Sequence, residues 1–387
     1  MVMSNCSAST VTCDVSVAES VRFQVVVGRD EVDGHTGFGV DPISRALACG
    51  HDLPNQSLMA LMVKMTSPND LVVDVGAHVG MFTLTAAASG RRVLAIEASR
   101  RNYGMLEKSV VLNGFSNRIR LVHAAASNCP GQLSFEERGP FGGVAEAGMP
   151  GASVVSAICV GDLLAETEGP LGFVKMDIEG FEVEAIEGLA DWLINSKDSP
   201  PILYESHLLA QLDRGRSVSY LRQAFARMGY SHHYAIHDDG QFVPMALDEA
   251  QPVIVGECLA TRLPIVPPRG WSVVKPMSSR KFGHLFFQCF MDYQTREFEP
   301  VLAGFGRAIQ TMNSPHLEHP LVKACCVSAA HHSSAEVRTA FAPWKNQACP
   351  MSFPFARAEY MVMNGFPKLL SFPGRALRFL KRSRRAA

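Results

Sequence analysis

Asp74, Glu97 and Asp177 each stand where an apolar run gives way to a turn. The first lies in Leu71-Val72-Val73-Asp74-Val75-Gly76-Ala77-His78-Val79-Gly80. Val72 to Val75 reads as a parallel strand buried on both faces. Gly76 and Gly80 let the backbone turn tightly and let a ligand approach it. Met81 to Ser89 reads as the helix that follows, and Arg92 to Ile96 as a second strand ending on Glu97. An acid about 20 residues past a glycine-rich strand-to-helix turn is placed to hold a ribose diol. The spacing therefore implies a nucleoside site.

The nucleoside is narrowed by what the turn lacks. In the dinucleotide fingerprint G-x-G-x-x-G the second glycine admits a pyrophosphate, and here that position is His78. Asp74, two residues before the first glycine, would repel a pyrophosphate and attract an ammonium group. S-adenosylmethionine has an adenosine, no phosphate and an ammonium-bearing end, so it fits better. An NAD-dependent oxidoreductase on a similar sheet is the alternative enzyme.

A second constellation lies in Val174-Lys175-Met176-Asp177-Ile178-Glu179-Gly180-Phe181-Glu182, with Glu205 and His207 after the next apolar run. Ligands of open α/β sheets bind outside the carboxyl ends of the strands. Several acids gathered there are costly for stability alone, since like charges repel. Asp177, Glu179 and His207 are the candidate general bases; His207 titrates near neutrality when unperturbed. Glu179 could instead cap the helix that starts near Phe181. Asp177, Glu179 and Glu205 could serve as oxygen ligands for Mg²⁺, but the spacing does not compel it and no metal is assigned.

These residues need a scaffold. Arg22 to Val27 reads as a strand and Leu58 to Met65 as a helix. After Glu97, Leu106 and Val110 suggest a helix closed by Asn113-Gly114. Ile119 to Ala124 reads as a third strand, and Gly131 to Phe135 as the start of a hairpin before a glycine-rich loop, Gly139 to Gly151. Phe173 to Asp177 reads as a fourth strand, and Ile202 to Glu205 as a fifth. Leu221, Ala224, Phe225 and Met228 give helical spacing, and His232 to His237 with Val253 to Ala260 look like a closing strand pair. The alternation predicts an α/β fold with a doubly wound, mostly parallel, seven-stranded sheet and a terminal antiparallel hairpin, plus a C-terminal extension: the Rossmann-like class I methyltransferase pattern.

The 387 residues divide into a poorly ordered N-terminus (1–20), an α/β domain (21–262), a proline-rich connector (263–280) and a helical C-terminal region (281–387). Hydrophobic content of 47% with 19% charged residues describes a soluble chain with a sizeable core. A net charge of -1 offers no whole-protein field for nucleic acid. No apolar stretch is long enough to span a membrane, and the N-terminus lacks a signal-peptide layout, so the expected compartment is the cytoplasm. The ten cysteines lack C-x-x-C spacing and read mostly as small buried hydrophobes. The basic stretch Phe366 to Ala387 reads as a solvated tail, or as a weak contact with an anionic membrane surface.

Together the two motifs resemble those of the FkbM-type family of S-adenosylmethionine-dependent methyltransferases. Its hallmarks are a D-V-G-A-N-x-G-like first loop and a K-x-D-x-E-G-x-E stretch on the fourth strand. Asp74 to Gly80 and Lys175 to Glu182 are similar to these, as are Gly188, Glu205 and Asn113. The likeness covers roughly residues 40 to 260; His78 stands where asparagine is commoner. The resemblance implies methyl transfer (EC 2.1.1), usually to a hydroxyl on a sugar, polyketide or other small molecule. Asp74, Gly76, Ala77, His78 and Gly80 would shape the cofactor's amino-acid pocket. Glu97 would take the ribose hydroxyls, Asn113 would belong to the cofactor site, and Asp177 and Glu179 would sit near the methyl group and acceptor. The non-enzyme alternative is a cofactor-binding scaffold without turnover.

Overall fold

An unbroken apolar run suits a strand covered on both faces, and all five residues of Leu71–Val75 are buried. The computed structural model describes residues 9–17, 20–33, 41–50, 55–137, 142–207, 214, 216, 220–237, 240–247, 255–275, 299–311 and 319–348. It comprises two compact units, Met1–Pro276 and Met277–Ala387.

The first unit begins with strands β1 (Thr10–Val17) and β2 (Val21–Gly28) and helices α1 (Arg29–Asp33), α2 (Pro42–Cys49) and α3 (Gln56–Met65). Next come β3 (Leu71–Val75), α4 (Met81–Ala88), β4 (Arg92–Glu97), α5 (Arg100–Leu112) and β5 (Ile119–His123). An excursion follows through β6 (Ala125–Ala126), β7 (Gly131–Glu136), β8 (Gly143–Ala145) and β9 (Ser153–Ile158). Helix α6 (Val160–Ala165) leads into β10 (Leu171–Met176), α7 (Glu182–Glu187), α8 (Ala190–Asn195), β11 (Ile202–His207) and α9 (Tyr220–Arg227). The unit closes with β12 (His232–His237), β13 (Gln241–Met245), β14 (Val255–Thr261) and β15 (Ser272–Val273).

The main sheet runs β15-β13-β12-β14-β11-β10-β3-β4-β5. From β11 to β5 all neighbours are parallel, while β14 is antiparallel to both β11 and β12. Side chains alternate between its two faces. Val72, Val93 and Phe173 pack with residues of α3, α4, α5, β1 and β2; Val73, Leu94 and Val174 pack with residues of α6 to α9. The sheet is thus doubly wound, and the chain reverses its direction of travel across the sheet between β3 and β10. That reversal leaves a crevice at the strand ends.

Three expectations are corrected. The main sheet is mixed and has nine strands, not seven. Gln241-Phe242-Val243-Pro244-Met245 was hidden by its proline, which argues against a central strand. β15 pairs with β13 only at Gln241 and Phe242, so Pro244 interrupts no second ladder. The glycine-rich loop likewise contains a strand, β8, in a separate four-stranded sheet ordered β6-β9-β7-β8. Residues 10–17, expected to be poorly ordered, form β1, paired along its length with β2 and burying Cys13, Val15 and Val17.

Behind the site, the Tyr204 hydroxyl lies 3.0 Å from His233 Nδ1, and His233 Nε2 lies 3.0 Å from the Tyr230 carbonyl. A proton on Nε2, donated to that carbonyl, leaves Nδ1 to accept from Tyr204. His233 is buried; burial, with Arg222 nearby, lowers its pKa from 6.5 to about 4. The unfolded chain therefore takes up this proton first. Stability is complete above about pH 6.5 and declines as pH falls toward 4, by on the order of 3 kcal/mol. Thermal unfolding of the wild type from pH 7 to 4 should show this decline, and His233→Gln should flatten it.

The second unit contains α10 (Glu299–Thr311), α11 (Pro320–Ala329) and α12 (Ala335–Ala340). Gly306 on α10 meets Phe341, where a Cβ would come within 2.6 Å of the ring. The basic tail lies outside the described residues, as does Cys6. Among the described residues, Cys258 is buried in the core, whereas Cys129, expected to be buried, is exposed. No helix among them is long and apolar enough to cross a membrane.

Candidate functional site

A cavity of about 300 Å³ opens at the crevice between β3 and β10. It is lined by the turns that leave four neighbouring parallel strands: Gly76 to His78 after β3, Glu97 and Ala98 at β4, Asp177 to Glu179 after β10, and Glu205 at the end of β11. The small sheet supplies another wall through Phe135, Gly143 and Val144.

One end is shaped around Glu97. Its Oε2 accepts from the His78 amide at 2.7 Å and its Oε1 from the Ser99 amide at 2.8 Å. Burial raises its pKa, against the pull of His78. Both oxygens keep a free lone pair for a hydroxyl donor. Next to Glu97 the lining is apolar: Ile96, Ala98, Ala124, Ala125, Ala126 and Phe135. His78 takes up the left-handed conformation, φ 51°, which asparagine and histidine tolerate better than most residues. Its Nε2 lies 3.6 Å from Asp41.

Asp74 has a different neighbour from the one expected. It is fully buried and is not among the cavity-lining residues. Its Oδ2 accepts from Thr83 at 2.6 Å, and its Oδ1 lies 3.6 Å from Lys175 Nζ. The ammonium it attracts is the protein's own. Burial raises the pKa of Asp74, and Lys175 and Thr83 pull it back.

The other end of the cavity is acidic. Asp177, Glu179 and Glu205 each place a carboxylate oxygen within 4.8 Å of the others, a separation a divalent cation could bridge. Burial, then Asp177 and Glu182, pushes Glu179 up to about 8. Burial, then Asp177 and Glu179, pushes Glu205 up to about 10, and its Oε2 is buried without a hydrogen bond. Glu179 sits at φ 55° and does not cap the following helix. Glu182, the first residue of that helix, instead reaches back to close the turn before it, accepting from the Ile178 and Gly180 amides at 3.1 Å each.

The fold thus brings Gly76, Ala77, His78, Glu97, Asp177 and Glu179 to one cavity. Gly80 is not among its lining residues: at φ 96° it starts α4, and a Cβ there would come within 2.2 Å of Leu106. Asn113 is also absent from the lining. Its amide donates to the Gln24 and Ser109 carbonyls at 2.7 Å each and its carbonyl accepts from the Gln24 amide at 2.8 Å, tying α5 to β2. Its capping position at the end of α5 was the sign of that role. The His207 backbone ends β11 opposite Val255; its side chain lies outside the described residues. Lys175 and Asn102 line the cavity without having been assigned a role from sequence.

Several known proteins are similar to parts of this chain. A crystal structure of methyltransferase FkbM from Methylobacillus flagellatus KT aligns at 18% identity and TM-score 0.32, covering 50% of this chain and 43% of that one. The chain therefore spans less than half the length of that relative. The SAM-dependent methyltransferase from Agrobacterium tumefaciens aligns at 12% identity and TM-score 0.32, covering 57% of this chain and 60% of that one. Precorrin-6y C5,15-methyltransferase from Geobacter metallireducens GS-15 aligns at 13% identity and TM-score 0.31, covering 54% and 90%. None of the curated proteins matches the sequence. The family model described as the methyltransferase FkbM domain matches residues 74–231, from the acid of β3 past α9. Over residues 74–231 this chain is similar to the methyltransferase FkbM domain.

Proposed function

We propose that the chain transfers a methyl group from S-adenosylmethionine to a hydroxyl on a small molecule or glycan, on a class I methyltransferase scaffold. One observation carries this reading: the buried carboxylate of Glu97 and the acids Asp177 and Glu179 face a single cavity at the switch point between β3 and β10. The lining suits an adenosine. Glu97 accepts from the ribose hydroxyls, and the alanine-rich wall with Phe135 takes the base. A dinucleotide is served poorly, because Lys175 at the turn is already shared by Asp74 and Asp177 and His78 fills the place of the fingerprint's second glycine.

When bound, S-adenosylmethionine supplies an electrophilic methyl group on a sulfonium. The protein's share is orientation and proton removal. The cavity walls hold the acceptor in line, an effect that supplies about 7–11 kcal/mol in well-oriented systems. Glu179 takes the proton of the acceptor hydroxyl, and Glu205, pushed up to about 10 by burial and the neighbouring acids, keeps its own proton at neutral pH.

Calorimetric titration with S-adenosylmethionine and S-adenosylhomocysteine tests the reading. Wild type should bind both, and Glu97→Ala should lose at least about tenfold in affinity, the equivalent of 1.4 kcal/mol. Asn113→Ala is the control: it should unfold at lower temperature, having lost hydrogen bonds worth about 1 kcal/mol each, and bind as wild type. Tighter binding of NAD, or equal affinity in Glu97→Ala, overturns the assignment.

A further inference from the structure

Lys175 has no part in the chemistry above, yet it is among the most buried cations of the described residues, 6% exposed and at the cavity wall. The ladder between β3 and β10 places it directly opposite Asp74. Its Nζ donates to the Gly76 carbonyl at 2.7 Å, and lies 3.4 Å from Asp177 Oδ2 and 3.6 Å from Asp74 Oδ1. The Phe82 ring stands 5.8 Å away. Three backbone segments thus meet on one ammonium: the middle of β3, the turn that leaves it, and the turn that leaves β10.

We propose that Lys175 is a positioning residue, which clamps the Gly76 turn to the Asp177 turn while Asp74 anchors its charge from beneath. The proposal rests on the methyltransferase reading, since the turns it joins are the two halves of that site. The geometry favours a clamp over a simple buried ion pair. An ion pair requires Asp74 alone. Here the shortest contact is the carbonyl of the turn, and Asp74 Oδ1 makes no hydrogen bond. Gly76 is the residue whose backbone lies against Asp177, so the clamp acts where the two turns touch. Burial alone would lower the pKa of Lys175, but Asp177, Asp74 and Glu257 together raise it, so the clamp stays charged.

The test separates a clamp from a charge-balancing role. Lys175→Met leaves Asp74 buried without its cation, whereas Asp74→Asn/Lys175→Met removes both charges. The double variant should recover most of the thermal stability lost in Lys175→Met. It should still exchange the amide hydrogens of Gly76 to His78 at least about tenfold faster than wild type, with β4 unchanged. It should also still bind S-adenosylhomocysteine at least about tenfold more weakly. Exchange and affinity equal to wild type in the double variant overturn the proposal. If wild type itself binds no S-adenosylhomocysteine, the methyltransferase reading fails while the exchange measurement still decides the clamp.

Discussion

Glu179→Gln lowers kcat by about 10²- to 10⁴-fold, the contribution of a positioned general base, and leaves S-adenosylhomocysteine affinity unchanged. The amide keeps the shape of the side chain and removes its ability to accept a proton. The pH profile supplies the sharper check. With Glu179 pushed up to about 8, the working deprotonated form is the minor one at neutral pH. Wild-type kcat should rise with pH up to about 8 and level off above it, and the variant should lose that limb. A variant that keeps both the limb and the rate assigns the proton to Asp177 or His207. A rate abolished by chelators and restored by Mg²⁺ assigns the three clustered oxygens to a cation. Glu205, pushed up to about 10, keeps its proton across this range and does not shape the profile.

Gly76→Ala destabilises the protein and abolishes cofactor binding. A Cβ at this position would lie 2.0 Å from the Asp177 carbonyl oxygen, and the backbone sits at φ 76°. The left-handed conformation costs an L-residue roughly 1–2 kcal/mol, and overpacking adds typically 1–3 kcal/mol. That carbonyl cannot yield without moving the turn after β10, which carries Asp177 and Glu179. The expected result is a loss of about 2–5 kcal/mol in denaturant unfolding and no measurable binding of S-adenosylhomocysteine. Gly104, where a Cβ would meet nothing within 4 Å, is the comparison: Gly104→Ala should be neutral or stabilising, since alanine is the better helix former. Equal stability of Gly76→Ala and wild type would remove the close approach between the two turns.

The strands that build the site were legible because their signal is local. The apolar runs at β3, β4, β10 and β11 need no partner to be recognised. Among the strands that were missed, β1 and β13 depend on pairing: β1 alternates polar and apolar residues against β2, and β13 carries a proline that is harmless only beside so short a neighbour. The acids were legible as a group because each ends or follows such a run.

What the sequence determined by itself is the set of chemical groups and the strand end on which each is presented: Gly76 to His78, Glu97, Asp177, Glu179 and Glu205. Only the tertiary structure decided which of them meet. Asp74, expected at the cofactor's amino-acid end, lies against Lys175 because β3 and β10, about a hundred residues apart in the chain, are neighbours in the sheet. Asn113, expected in the cofactor site, is tied to Gln24 because β2 packs beside α5. The role of a buried polar group is set by the partner that satisfies it, and that partner is chosen by strand order and register, which lie beyond any local pattern.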